Sequence, residues 1–308
     1  MRLYYGRGQQ WDRWRTLPEL AMGSLMEARI ADAYGWLASG YRTGDQVFLF
    51  GYSRGAFAVR SLAGMIARLG LLRPDAANED NVRVAWSYYQ KRAPTDVMQT
   101  FHDEYSHDSM KIRMIGCFDT VMALGVRLPL LWKLTEPRFR FHDTHLGPEI
   151  EHGVQALALD ETREAFAPIL WQESGAPGRL EQVWFRGAHA DVGGQLNGME
   201  FARPLANIPL VWMLGKAEDY GLPLPQGWRG GFICDATAPQ IGSWRNWGKA
   251  FLLRTPRIAG ENPSEALHET VPIPYPGPAV LRGHLAEFAL KRARWHIRPG
   301  VTRDPRQV

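Results

Sequence analysis

Two rhythms of apolar and polar positions run along the chain: short apolar runs, and longer stretches at helical spacing. The first helical stretch covers residues 19–41, with Leu25, Ile30, Ala33, Tyr34 and Leu37 near the 3.6-residue period. Gly44 and Asp45 then turn the chain into the apolar run 46–50, which predicts a buried strand. A helix is expected over 55–72, a loop over 73–83 and a short helix over 84–92. The apolar run 112–118 predicts a second buried strand. Residues 127–149, rich in Pro, Arg and aromatics, predict an irregular excursion, followed by a helix over 153–166. A third strand, 181–187, runs into the small-residue stretch 188–194. The next helix, 205–221, is stopped by Gly221, and loops containing Gly, Pro and Trp follow from about residue 227. An amphipathic helix over 281–295 precedes a polar tail.

Strands alternating with helices predict an α/β fold: a mostly parallel sheet with helices on both faces. Ligand sites in such sheets lie beyond the carboxyl ends of the strands. Just past the three strand ends stand Ser53, Asp119 and His189. A chain of 308 residues can form one large α/β domain or two small ones.

Composition narrows the picture only a little. Apolar residues at 45% and charged residues at 22% are ordinary for a globular protein, and a net charge of +4 argues for neither nucleic acid nor membrane as partner. Cys117 and Cys234, far apart, suggest no disulfide framework and no cysteine-based zinc site. The N-terminal MRLYYGRGQQWDRW has no apolar core of a signal peptide, and no apolar run reaches the roughly 18 residues that span a bilayer. The expected location is accordingly a cytoplasm, or outside the cell by an export route that needs no such signal.

The sequence 51-GYSRG-55 places Ser53 in a Gly-x-Ser-x-Gly turn between a predicted strand and a predicted helix. In a chain with 31 glycines the motif alone decides little; its strand-before, helix-after context is what a nucleophile elbow requires. A serine hydroxyl needs a base within hydrogen-bond reach, and that base needs an orienting acid. His189 is the candidate base. Asp119 is the favoured acid, with Asp191 and Asp160 as alternatives. The N–H of Arg54, at the start of the following helix, is the expected oxyanion donor. Arg54 and Arg60 are candidates for recognising an anionic group of the substrate. His142, His145 and His152, with Asp143 and Glu149, lack a recognisable ligand spacing, so no metal and no cofactor is expected.

The block GYSRGAFAVRSLAGMI, with GDQVFLF before it, resembles the signature of the DUF2235 family, the catalytic domain of one class of type VI secretion phospholipase effectors. Residues 116-GCFDTVMALG-125, 156-ALALDETREAF-166, 184-WFRGAHADVGGQL-196 and 205-LANIPLVWMLGKAEDYGLPL-224 are similar to further blocks of it. So is 267-LHETV-271, with Thr270 where the family has a serine. Cys117 and Phe118 replace Val-Trp before the aspartate, Met122 replaces a glycine, and Ala190 a serine. The resemblance covers roughly residues 1–275, which it implies to be one catalytic domain, with the amphipathic helix and polar tail of 276–308 packed on it. It implies an α/β-hydrolase-like fold in which Ser53 is nucleophile, Asp119 acid and His189 base, acting on acyl esters of phospholipids. The family opens with a strand carrying Asp-Gly-Thr, whereas this chain begins near a later segment, 3-LYYGRG-8. A sheet without that strand, short of one oxyanion contributor worth about 2.7–4 kcal/mol, is the expectation.

A serine hydrolase of lipid acyl esters is therefore the leading expectation. A non-catalytic scaffold that keeps the fold and an esterase of soluble substrates are the alternatives. The implied partners are a lipid or other acyl ester, a secretion-system component, and a membrane surface met by Leu285, Phe288 and Leu290 beside Lys291, Arg292 and Arg294.

Overall fold

The computed structural model describes residues 1–7, 24–121, 145–172, 178–245, 248–249 and 251–297. Its centre is a sheet of five parallel strands: β1 (Val47–Tyr52), β2 (Ile112–Phe118), β3 (Ile150–Ala158), β4 (Leu180–Phe185) and β6 (Glu265–Leu267), adjacent in that order. Among the described residues β1 has one strand neighbour, β2. Two short strands, β5 (Ile258–Ala259) and β7 (Val280–Leu281), pair with each other in a separate parallel ladder.

Helices cover both faces because the strands are apolar on both. On one face α1 (Ser24–Gly40), α2 (Arg54–Leu69), α3 (Glu79–Lys91) and α4 (Thr95–Tyr105) bury Ile30, Tyr34, Leu62, Ile66, Tyr89 and Phe101 against Ile112, Ile115 and Ile150. On the other, α5 (His189–Gly193) and α6 (Arg203–Asp219) place Val192, Leu205, Ile208 and Met213 against Met114, Val154, Val183 and Phe185. A third cluster joins Leu157 and Trp184 to Ala259, Val271 and Leu285 of α7 (Gly283–Ile297). Its one buried polar edge is satisfied: the Trp184 indole donates to Glu265 Oε2 at 2.7 Å. Leu285 of α7 is thus core, while Phe288 and Leu290 face solvent at 45% and 60% exposure. Among the described residues no helix is long and apolar enough to cross a membrane.

Most predicted elements are present, with one substantive correction. Residues 153–166 do not form a helix; Ile150–Ala158 is the middle strand of the sheet. Neighbours on both sides and helices on both faces bury every residue from Gly153 to Ala158, so no polar alternation marks a strand. Ala, Leu and Gln, good helix formers, then imitate a helix. Helix α4 falls where no helix was expected, β5 and β6 lie within the region read as loops, and β7 takes Leu281 from the start of the expected last helix, which begins at Gly283. The helix start at 19–23 and most of the excursion at 127–149 lie outside the described residues.

Strand register sets the position of the site. Tyr52 stands beside Phe118, Phe118 beside Ala156, and Ala158 beside Phe185, so these four strands end nearly level. The step from β1 into α2 is tight. A Cβ on Gly51 would lie 2.4 Å from the Gly55 carbonyl oxygen and 2.6 Å from the Ala56 Cα, both backbone atoms that cannot swing aside. A Cβ on Gly55 would meet nothing within 4 Å. Gly51→Ala is therefore expected to lower unfolding free energy by about 3 kcal/mol, and Gly55→Ala by less than about 1 kcal/mol. Urea denaturation of the two variants checks the contrast.

Candidate active site

Ser53 occupies the corner between β1 and α2 at φ 58° and ψ −122°, a conformation that non-glycine residues rarely adopt. Holding it costs on the order of 1–3 kcal/mol, which the surrounding packing must supply. The Ser53 N–H donates to the Phe118 carbonyl at 2.9 Å, and the Ser53 carbonyl accepts from Ala56 and Phe57 at 3.1 and 3.2 Å, so the corner is fixed on both sides. The side chain is left directed at the strand ends. Gly193 makes room for this arrangement: a Cβ there would lie 1.9 Å from the Tyr52 ring.

His189, the first residue of α5, is 4% exposed. Its Nε2 lies 2.8 Å from Ser53 Oγ and its Nδ1 lies 2.6 Å from Asp119 Oδ2. A carboxylate only accepts, so Nδ1 carries the proton there and Nε2 is left to accept from the serine hydroxyl. The imidazole is walled by the Tyr52 ring at 4.7 Å and the Phe166 ring at 4.9 Å. Burial pushes the His189 pKa down, and the hydrogen bond and charge of Asp119 only partly oppose it.

Asp119 is fully buried and, like Ser53, has a positive φ, 46°. Its N–H donates to the Ala156 carbonyl at 2.8 Å, which anchors it against β3. Each carboxylate oxygen has two donors. Oδ1 accepts from Ala158 N–H at 3.0 Å and Arg257 Nη1 at 2.5 Å; Oδ2 accepts from His189 and from Arg257 Nη2 at 2.9 Å. Burial alone would push this carboxyl up. The Arg257 charge and the hydrogen bonds from His189 and Arg257 outweigh it and hold Asp119 well below the usual carboxylate range. A second ion pair lies alongside: half-buried Arg163 binds buried Glu161 through Nε at 2.8 Å and Nη2 at 2.6 Å, and Glu161 Oε2 accepts the His189 N–H at 3.2 Å.

The three strand-end residues thus come together, and the alternative acids go elsewhere. Asp160 accepts from the Gly187 N–H at 2.8 Å and the Tyr275 hydroxyl at 2.5 Å. Asp191 accepts the N–H groups of Ala188, Ile241 and Gly242 at 2.9, 2.7 and 3.1 Å, tying α5 to a distant loop. Arg54 is the first residue of α2, so its N–H sits at the helix start next to Ser53. Arg60 is buried, donates to the Ile169 carbonyl at 2.7 Å and lies 4.4 Å from the Trp171 ring centre; it is engaged in packing. His152 stacks on Tyr220 at 3.6 Å, and among the described residues no three His, Cys, Asp or Glu side chains are grouped to hold a metal. His142 and Asp143 lie outside the described residues. Sequence reading missed Arg257, Glu161 and Arg163. The last two stand in 159-LDETRE-164, where a charged pair two residues apart was the available signal.

The chain is 33% identical over 155 residues to the uncharacterized protein YEL023C of Saccharomyces cerevisiae, covering 47% of this chain and 21% of that protein. A solved structure of the Tle1 effector bound to the VgrG spike from the type 6 secretion system is 24% identical, with a TM-score of 0.30, over 56% of this chain and 30% of that one. A crystal structure of an uncharacterized protein from Pseudomonas aeruginosa is 20% identical, with a TM-score of 0.35, over 70% of this chain and 28% of that one. The chain therefore spans less than a third of the length of each of these relatives. The family model of the type VI secretion phospholipase effector Tle1-like catalytic domain matches residues 4–216, which include Ser53, Asp119 and His189, and the chain belongs to that family.

Proposed function

We propose that this chain is a serine hydrolase that cleaves acyl esters of lipids through an acyl-enzyme. The observation that carries the reading is the unbroken chain of hydrogen bonds from Ser53 Oγ through His189 to Asp119, built on a strained corner at the carboxyl edge of a parallel sheet. Membership in a phospholipase-effector family supports the lipase-type chemistry.

Ser53 Oγ attacks the ester carbonyl carbon while His189 Nε2 takes its proton. The imidazolium so formed is held through Nδ1–H by Asp119. The Arg54 N–H, supported by the positive end of α2, donates to the carbonyl oxygen as it gains charge. Collapse breaks the C–O bond, and the leaving alcohol receives the proton from Nε2. Water then attacks the acyl-serine with His189 again acting as base, which releases the acid and restores Ser53. No cofactor enters these steps.

The surroundings of the site favour an apolar substrate. Phe166, packed on His189, also packs on Phe251 at 5.3 Å. The next residues, Leu252 and Leu253, are 74% and 40% exposed. The Arg163 guanidinium lies over the Phe166 and Phe251 rings at 3.8 and 5.7 Å, so an acyl chain would meet aromatic surface there beside a cation. The family's description makes a type VI secretion-system component the proposed protein partner.

Hydrolysis of a short p-nitrophenyl ester and of phospholipid vesicles, by the parent protein and Ser53→Ala, tests the reading. Ser53→Ala is expected to lower kcat at least about 10³-fold on both. Equal rates for the two proteins contradict catalysis by Ser53 and favour a scaffold role. Cleavage of the short ester alone leaves an esterase of soluble substrates.

The pH profile gives a second test. Catalysis needs neutral His189, so activity is present above the His189 pKa and is lost as pH falls through it. Because burial lowers that pKa, the acid limb of kcat/KM is expected below about pH 6.5, the ordinary histidine value. A limb above that value contradicts the assignment of His189 as base.

A further inference from the structure

Arg257 lies beyond residues 4–216 of the family match, yet its guanidinium reaches the deepest residue of the site. It is 5% exposed and makes four hydrogen bonds. Nη1 donates to Asp119 Oδ1 and to the Ala158 carbonyl at 2.8 Å; Nη2 donates to Asp119 Oδ2 and to the Phe166 carbonyl at 2.6 Å. Among the described residues its Nε has no hydrogen-bond partner. The residue is fixed from behind as well, because its carbonyl accepts the Val280 N–H at 2.8 Å in the β5–β7 ladder.

Resting on the hydrolase reading above, we infer that Arg257 is a positioning residue for the reaction, fixing the plane and the charge of the Asp119 carboxylate so that Oδ2 faces His189 Nδ1. The two-pronged guanidinium is what makes this possible: it occupies one site on each carboxylate oxygen and leaves one on Oδ2 for the imidazole. A lysine ammonium supplies the charge without the fork. The guanidinium also opposes charge on the histidine. Around His189 stand Asp119 at the end of β2, Arg257 before β5, Glu161 and Arg163 in the loop after β3, Ser53 and the Tyr52 ring from the β1 corner, and the Phe166 ring. Asp191, on the histidine's own helix, turns to backbone N–H groups. The four charges pair off as two anions with two cations, so protonating His189 leaves an uncompensated positive charge in a buried site. Burial first, and then the positive charges of Arg163 and Arg257, keep the resting imidazole neutral and ready to accept a proton, at some expense in stabilising the imidazolium of the transition state.

The test uses the full chain with Arg257→Gln and Arg257→Lys. Circular dichroism and thermal melts establish folding, and two readouts follow: the pH profile of kcat/KM on a p-nitrophenyl ester, and NMR titration of the His189 imidazole. Arg257→Gln is expected to lower kcat about tenfold or more with little change in KM, and to move the His189 midpoint up by about one pH unit or more. Arg257→Lys is expected to lower kcat while leaving the midpoint within a few tenths of the parent. A folded Arg257→Gln protein with the parent's midpoint overturns the inference, because a merely architectural arginine would not move it. If Arg257→Gln does not fold, Arg257→Lys decides: parental kcat overturns the inference, and a lowered kcat with an unmoved midpoint supports it. Should Ser53→Ala prove fully active, the hydrolase reading falls, while the imidazole titration still tells whether Arg257 governs the Asp119–His189 pair.

Discussion

A carboxylate with no access to solvent, at the end of the second strand, is the constraint around which the site is arranged. An isolated charge in such a place would cost several kcal/mol and would take up a proton instead. Asp119 stays ionised because two guanidinium nitrogens, a backbone N–H and an imidazole N–H fill its acceptor positions. Those donors come from far apart along the chain, at Ala158, His189 and Arg257. The carboxylate therefore ties the end of β3, the start of α5 and the entry to β5 into one cluster. Removing any one donor leaves the buried carboxylate with an unfilled acceptor position, a cost of about 1–3 kcal/mol.

The parallel sheet converts this electrostatic cluster into a potential reaction site. Parallel strands all deliver their last residues to one edge, and the level ends of β1, β2 and β4 bring Ser53, Asp119 and His189 within hydrogen-bond distance. Two of the three adopt positive φ, at 58° for Ser53 and 46° for Asp119. Strain at both residues would be relieved if the packing around them loosened. The absence of a side chain at Gly51 and Gly193 is what allows that packing to close. Stability in this region is thus coupled to the geometry any nucleophilic role for Ser53 requires.

Much of this was legible in the chain alone. The short apolar runs before Ser53, Asp119 and His189 are strands, and Gly-x-Ser-x-Gly sits where a strand meets a helix. The middle strand was not legible, because a strand covered on both faces and paired on both edges loses the alternation that reveals a strand. Its Ala- and Leu-rich Gln155–Ala158 stretch then carries a helical signature. Arg257 was hidden for a different reason. Nothing in 254-RTPRIAG-260 distinguishes a buried arginine from a solvated one; its partner lies 138 residues earlier, and only the fold brings them together. Asp119 is favoured as the acid on sequence grounds because it ends a strand, but Asp160 and Asp191 stay open as alternatives there. Their real partners, Tyr275 and backbone N–H groups near residue 241, are again matters of tertiary contact.

The central claim is that Ser53 is a hydroxyl made nucleophilic by its neighbours, and reaction with a serine-directed fluorophosphonate followed by peptide mass spectrometry addresses it most directly. The account predicts a single adduct, on the peptide containing Ser53, formed rapidly by the folded protein and suppressed when His189 is replaced by alanine. An adduct on a different serine, or labelling of Ser53 that is equally fast without His189, would contradict it.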